Sequence, residues 1–78
     1  MTNKEKFGEL YRANLRRAVT ERPDDYAYAA DRVDEIADKM LAALDRGSAN
    51  KDVFAFKQTC KQLGISHTYK AIDAFLKS

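Results

Sequence analysis

The chain has 78 residues, 45% of them hydrophobic and 33% charged, with one proline and three glycines. That composition describes one helical domain and excludes a disordered chain, which combines low hydrophobicity with high net charge. A domain of this size buries only about 60–65% of its unfolded surface, which leaves little room for a deep active-site cavity. The net charge is +2, with a pI near 8.8, weaker than the pI above about 9 of a dedicated nucleic-acid binder. Its distribution is uneven. Residues 1–22 carry a local balance of +3, residues 23–46 of −4, and residues 47–78 of +3.

The first helix opens on Thr2-Asn3-Lys4-Glu5, the pattern of a capping box. Phe7, Leu10, Tyr11, Leu15, Ala18 and Val19 form its apolar stripe. Asn14 falls within that stripe, either as a register-setting polar residue or at the core edge. Pro23 cannot continue the helix and restricts Arg22, so helix 1 ends near Glu21.

Helix 2 has two possible starts. On the longer reading, which we prefer, it begins at Asp24 or Asp25. On the shorter, Asp31 is the cap and Tyr26 to Ala30 form a looser turn. Tyr26, Ala29, Ala30, Val33, Ile36, Ala37, Met40, Leu41 and Leu44 make its apolar face. Arg46 lies in its last turn, and Gly47 suits the left-handed position beyond it. Ser48 or Asn50 caps a third helix that runs to about Leu63, with Val53, Phe56, Cys60 and Leu63 at helical spacing. Gly64 ends helix 3, Ile65 makes the apolar contact of a Schellman turn, and Ser66 caps helix 4. Tyr69, Ile72, Phe75 and Leu76 are its inner face. The predicted fold is a compact all-α, four-helix domain: an N-terminal helical hairpin and a C-terminal helix–turn–helix-like corner.

Three features carry candidate functions. The first is an acidic stripe. At about 100° per residue, Asp24, Asp31, Asp34, Glu35, Asp38 and Asp45 share one side of helix 2, with Tyr28 turned outward at its edge and Tyr26 turned in. It is either a solvated face or a docking surface for a basic partner, such as the nucleic-acid groove of another protein. The second is the corner itself. Lys57 and Lys61 would meet phosphates, while His67, Thr68, Lys70 and Lys77 would face the major groove. Lys70 stands where an apolar residue is expected, Asp73 lies near the reading face, and helix 4 has no Arg, Asn or Gln, the side chains of the commonest base contacts. The third is Arg12, Arg16 and Arg17 on helix 1. Arg12 and Arg16 repel at i,i+4 unless something anionic is near. Glu9 can offset Arg12, and an antiparallel helix 2 would bring acidic flank to basic flank within the monomer, which is the preferred reading.

Catalytic chemistry finds no footing in the pattern. Cys60 and His67 have no evident third partner, and the sequence has no phosphate loop or metal-ligand spacing. No metal or cofactor is expected, and Cys60 reads as a small buried residue. One cysteine allows no intrachain disulfide, and no apolar run approaches the ~20 residues of a membrane span. The expected location is the cytoplasm.

Lys39-Met40-Leu41-Ala42-Ala43-Leu44, Gly47, Asn50-Lys51-Asp52 and the stretch from Ala55 to Ile72, including Cys60-Lys61-Gln62-Leu63-Gly64-Ile65-Ser66-His67-Thr68-Tyr69-Lys70, resemble small helical proteins of tailed phages and prophages. The resemblance covers about half the chain. It implies a phage-encoded protein in a bacterial cytoplasm, of a kind that often binds host machinery, and carries no site residues. The leading expectation is a non-enzymatic protein that modulates or inhibits a host complex, a CRISPR effector being the sharpest version. The alternatives are a DNA binder using helix 4 and an assembly helper, as a monomer or homodimer, with no membrane partner.

Overall fold

The computed structural model describes residues 1–50 and 53–78. Those residues form α1 (Asn3–Glu21), a single 3₁₀ turn (Ala27–Ala29), α2 (Val33–Asp45), α3 (Phe54–Leu63) and α4 (Tyr69–Lys77), with no strand among them. The expected all-α, four-helix fold is what the chain adopts.

α1 is the axis of the molecule. Its 19 residues span about 28 Å at 1.5 Å per residue, most of the 35 Å long dimension. It packs along α2 and α3 and more lightly on α4, which dock on it rather than broadly on one another. Along its packed face Phe7 and Leu15 are fully buried, with Tyr11 and Ala18 nearly so, while Leu10 and Val19 are half-buried. From α3, Phe56 meets Phe7 edge to face at 5.4 Å between centroids and Tyr11 at 6.4 Å. Burial pushes the Tyr11 phenol up to about 12, with a smaller push from Tyr28 and Tyr26. The approach of α2 is close at Gly8, where a Cβ would lie 2.9 Å from a methyl of Leu41 and oblige that side chain to shift.

Asn14 is the polar exception in this core. It is 5% exposed, and its amide donates to Thr59 Oγ1 and Gln62 Oε1, both at 3.0 Å. Thr59 in turn donates to the Ala55 carbonyl at 2.7 Å. A buried amide lacking such partners would cost about 1–3 kcal/mol, so the network ties α3 to one register on α1.

The capping box forms as predicted: Thr2 Oγ1 accepts from the Glu5 N–H, and Glu5 Oε1 accepts from the Thr2 N–H. These bonds hold the Glu5 carboxyl below its ordinary value, the Thr2 backbone bond contributing most. A depressed carboxylate adds stability above its unfolded pKa and loses it as the pH falls through the folded value. The stability gap between wild type and Glu5→Ala therefore narrows with acidification. Thr2→Ala should cost about 1 kcal/mol at pH 7, read as a shift in the urea midpoint. Asn3 closes the same end of the molecule, its side-chain amide reaching the Phe75 and Ser78 carbonyls at 2.9 and 3.0 Å.

Both glycine turns also stand. Gly47 and Gly64 have φ of 68° and 71°. The backbone bonds Ser48 N–H to Ala43 O and Ile65 N–H to Cys60 O complete two Schellman motifs.

Three cap assignments need correction. α2 starts at Val33 after Arg32, not at Asp24 or Asp25, and its cap is not Asp31. The intervening 3₁₀ turn buries Tyr26 and Ala29 and leaves Ala30 exposed, so Ala30 is not part of the apolar face. α3 begins after an extended Val53, not after Ser48 or Asn50. Ser48 Oγ instead turns back to the Ala43 carbonyl. α4 is capped by Thr68, which accepts from the Ala71 N–H, two residues beyond the expected Ser66.

Candidate functional site

Two carboxylates of the acidic stripe, Asp34 and Asp38, lie against the arginines of α1, and a third, Asp45, lies against its Lys4. Asp34 faces Arg12 at 3.4 Å and Arg16 at 3.0 Å, Asp38 bonds Arg12, and Asp45 bonds Lys4 at 2.6 Å. The repulsion expected between Arg12 and Arg16 is thus relieved by α2, not by Glu9. The internal pairing of basic and acidic flanks is realised, and Lys4–Asp45 extends it to the far end of the hairpin. Arg17 instead pairs with Glu21 on its own helix. Glu35 sits between Arg32 at 2.6 Å and Lys39 at 3.7 Å. Its carboxyl is held below the ordinary value, first by the hydrogen bond from Arg32. Asp24 and Asp31 lie outside α2, so the six carboxylates do not form one helical stripe.

These pairs are solvent-facing. The side chains of Asp34 and Asp38 remain 68% and 67% exposed, and such pairs are each worth about 0–1 kcal/mol. Their exchange for a partner's cations is therefore inexpensive. The double reversal Asp34→Lys, Asp38→Lys places four cations together on the hairpin. It should cost about 1–2 kcal/mol at low salt, with the loss shrinking in about 1 M salt, where screening acts within ~3 Å. Thermal melts at the two salt concentrations measure this.

One end of α2 differs from the rest. Asp31 is exposed and makes no ion pair with any described residue. Tyr28, three residues earlier, is 56% exposed, as the sequence predicts, while Tyr26 beside it is buried. The two rings lie 6.1 Å apart and tilted by 30°, so the outer tyrosine stands on an inner one anchored in the core. Asp31 also lines a groove of about 520 Å³, walled by Arg16, Val19 and Thr20 of α1 and by residues 30–35. Tyr28, Asp31, Asp34 and Glu35 thus fall at this end, whereas Asp38 and Asp45 continue along the hairpin. The groove was not legible in the sequence, since it depends on α2 starting late.

The basic corner is assembled from α3 and α4. Lys57, Lys61 and Lys70 are exposed and make no ion pair with a described residue. Lys77 pairs with Asp73 at 3.0 Å. Thr68 serves as the cap of α4, and His67 is exposed ahead of it. Tyr69 is turned inward, donating to the Ala49 carbonyl at 2.7 Å. Cys60 is buried, and burial pushes its thiol up, the setting of a packing residue rather than a nucleophile.

No family model, curated protein or solved structure matches the chain. Its function therefore has to be argued from its own surfaces. Among the described residues no group of three or more His, Cys, Asp or Glu is placed to hold a metal ion. No helix among them is long and apolar enough to cross a membrane.

Proposed function

We propose that this chain is a phage-type, non-enzymatic binding protein that docks on a basic surface of a host macromolecular machine and modulates or inhibits it. In the sharpest version the target is a nucleic-acid-handling defence complex, such as a CRISPR effector. The observation that carries the reading is Tyr28: a large aromatic side chain held out in solvent on a buried tyrosine, three residues before Asp31, which makes no ion pair with a described residue. Aromatic anchors of this kind dominate protein interfaces, and carboxylates around them favour a cationic partner. Asp34, Glu35 and Asp38 extend that surface once their cations are exchanged, and Asp45 marks its far limit.

The variants for testing it are Tyr28→Ala with Asp31→Lys, which leave the α1–α2 ion pairs untouched. Reversal of Asp34 and Asp38 is a poorer probe, because it also weakens the hairpin. The immobilised chain is exposed to a bacterial host lysate with and without nuclease. The expected result is a protein assembly retained after nuclease, at least about tenfold less by the variant, whose own nucleic-acid binding falls when the chain is added. Equal retention by wild type and variant would refute the docking face.

A second reading is favoured by Lys57, Lys61 and Lys70, exposed and without an ion pair to any described residue: DNA binding through the α3–α4 corner. It requires affinity that drops steeply between 50 and 200 mM salt and is lost in Lys61→Glu, Lys70→Glu. Gel shifts showing no salt-sensitive complex remove it.

A further inference from the structure

A second groove, of about 480 Å³, lies between the C-terminal end of α2 and α4. It exists because the two helices dock on α1 without packing broadly on each other. Leu44 and Ile72 form its floor, with Leu76 and the Tyr69 ring as half-buried walls. Its volume lies in the range of roughly 300–1,000 Å³ typical of binding clefts.

The rim carries two acids and two bases, and the acids are already paired. Asp45 is bonded to Lys4, and Asp73 to Lys77. The carbonyls that end α2 are occupied too: Leu44 O accepts from Gly47, and Ala43 O from Ser48. Arg46 and Lys70 remain exposed, and neither pairs with a described carboxylate. The groove thus offers an apolar floor between two uncompensated cations. At its lip Gly47 has no side chain, and a Cβ there would meet nothing within 4 Å, which leaves the entrance open.

We infer that this groove docks an acidic, apolar segment of a protein partner, in which Asp or Glu alternates with Leu, Met or Phe. The apolar side chains cover Leu44, Ile72 and Leu76, while the carboxylates meet Arg46 and Lys70. Nucleic acid fits less well, since a continuous phosphate run has nothing to place on the apolar floor of Leu44, Ile72 and Leu76. The inference is independent of the Tyr28 face, which has the opposite charge and lies at the other end of α2.

The test is a selection from a random library of peptides of roughly twelve residues, the size of a groove-bound segment, on the immobilised chain. The best enriched peptide is then titrated into ¹⁵N-labelled protein. Expected are sequences that mix Asp or Glu with Leu, Met or Phe, and amide shifts concentrated at residues 44–47 and 69–76. Affinity should fall about tenfold or more in Arg46→Glu, Lys70→Glu and hold in Lys57→Glu, Lys61→Glu. Failure to enrich, enrichment without acidic residues, shifts elsewhere, or an unaffected Arg46/Lys70 variant overturns the inference. Loss in the Lys57/Lys61 variant instead assigns the binding to the basic corner. None of these variants alters Tyr28 or Asp31, so the outcome leaves the proposed host-docking face to be judged on its own experiment.

Discussion

Phe56→Ala should remove a large share of the protein's stability. Phe56 is completely buried and contacts both Phe7 and Tyr11 of α1 edge to face. Removing a buried phenylalanine side chain costs about 3–5 kcal/mol through lost transfer energy and an uncollapsed cavity. A domain of this length has only about 4–12 kcal/mol of total stability. The loss falls on the contact between α1 and α3, so no other pair of helices can compensate. Urea denaturation followed by far-ultraviolet circular dichroism measures it, and Phe56→Leu, which keeps most of the volume, should recover more than half of the loss. A deficit under about 1 kcal/mol for the alanine variant would mean that this ring is not the centre of the core.

Asn14→Asp should make stability depend on pH in a way the wild type does not. The substitution puts a carboxyl where a buried amide now donates to Thr59 and Gln62, with no cation bonded there. Burial raises the pKa of such a group above its unfolded value near 3.9. The folded state then binds the proton more tightly than the unfolded state. Relative to wild type, the variant is least impaired below the unfolded pKa, and its deficit grows as the pH rises through the folded one. At pH 7 the deficit should reach about 2–4 kcal/mol. Parallel urea titrations at pH 4 and pH 7 read the difference directly. A deficit equal at both pH values would show that the lost amide bonds, rather than the buried charge, set the cost.

The sequence was most informative where one residue type had a single physical use. Thr2 with Glu5, Pro23, Gly47 and Gly64 mark helix ends because few conformations suit those residues in that order, and α1, the end of α2 and the end of α3 fall where they point. It was least informative where two geometries share a spacing. Tyr26 and Ala29 lie three apart, which suits an α-helix and a 3₁₀ turn equally, and only packing against α1 selects the turn. Ser66 and Thr68 are both competent caps two residues apart, and Thr68 is the one used. Thr59 is polar by composition yet fully buried, and nothing short of the α1–α3 register identifies it as the partner of Asn14.

The candidate faces were legible in part. Charge periodicity located the carboxylates of α2 and the arginines of α1, and the like-charge spacing of Arg12 and Arg16 pointed to an anionic neighbour. Asp31, like Glu9, Asp24 and Asp25, pairs with no described cation, and its difference from Asp34 depends on where α2 begins. Asp31 is therefore distinguished from Asp34 only by the late start of the helix. The α2–α4 groove has no one-dimensional signature, since its floor residues are ordinary members of two apolar stripes.

The position of α1 at the axis has a consequence for biosynthesis. α1 leaves the ribosome before α3, and Phe7 and Asn14 find their α3 partners, Phe56 and Thr59, only some 45–50 residues later in the chain. At about 5–20 residues per second, the apolar stripe of α1 waits roughly two to ten seconds for them, with only α2 available to shield one flank. During translation the nascent chain is thus an amphipathic hairpin with one greasy side open, a substrate for chaperones that the finished protein is not.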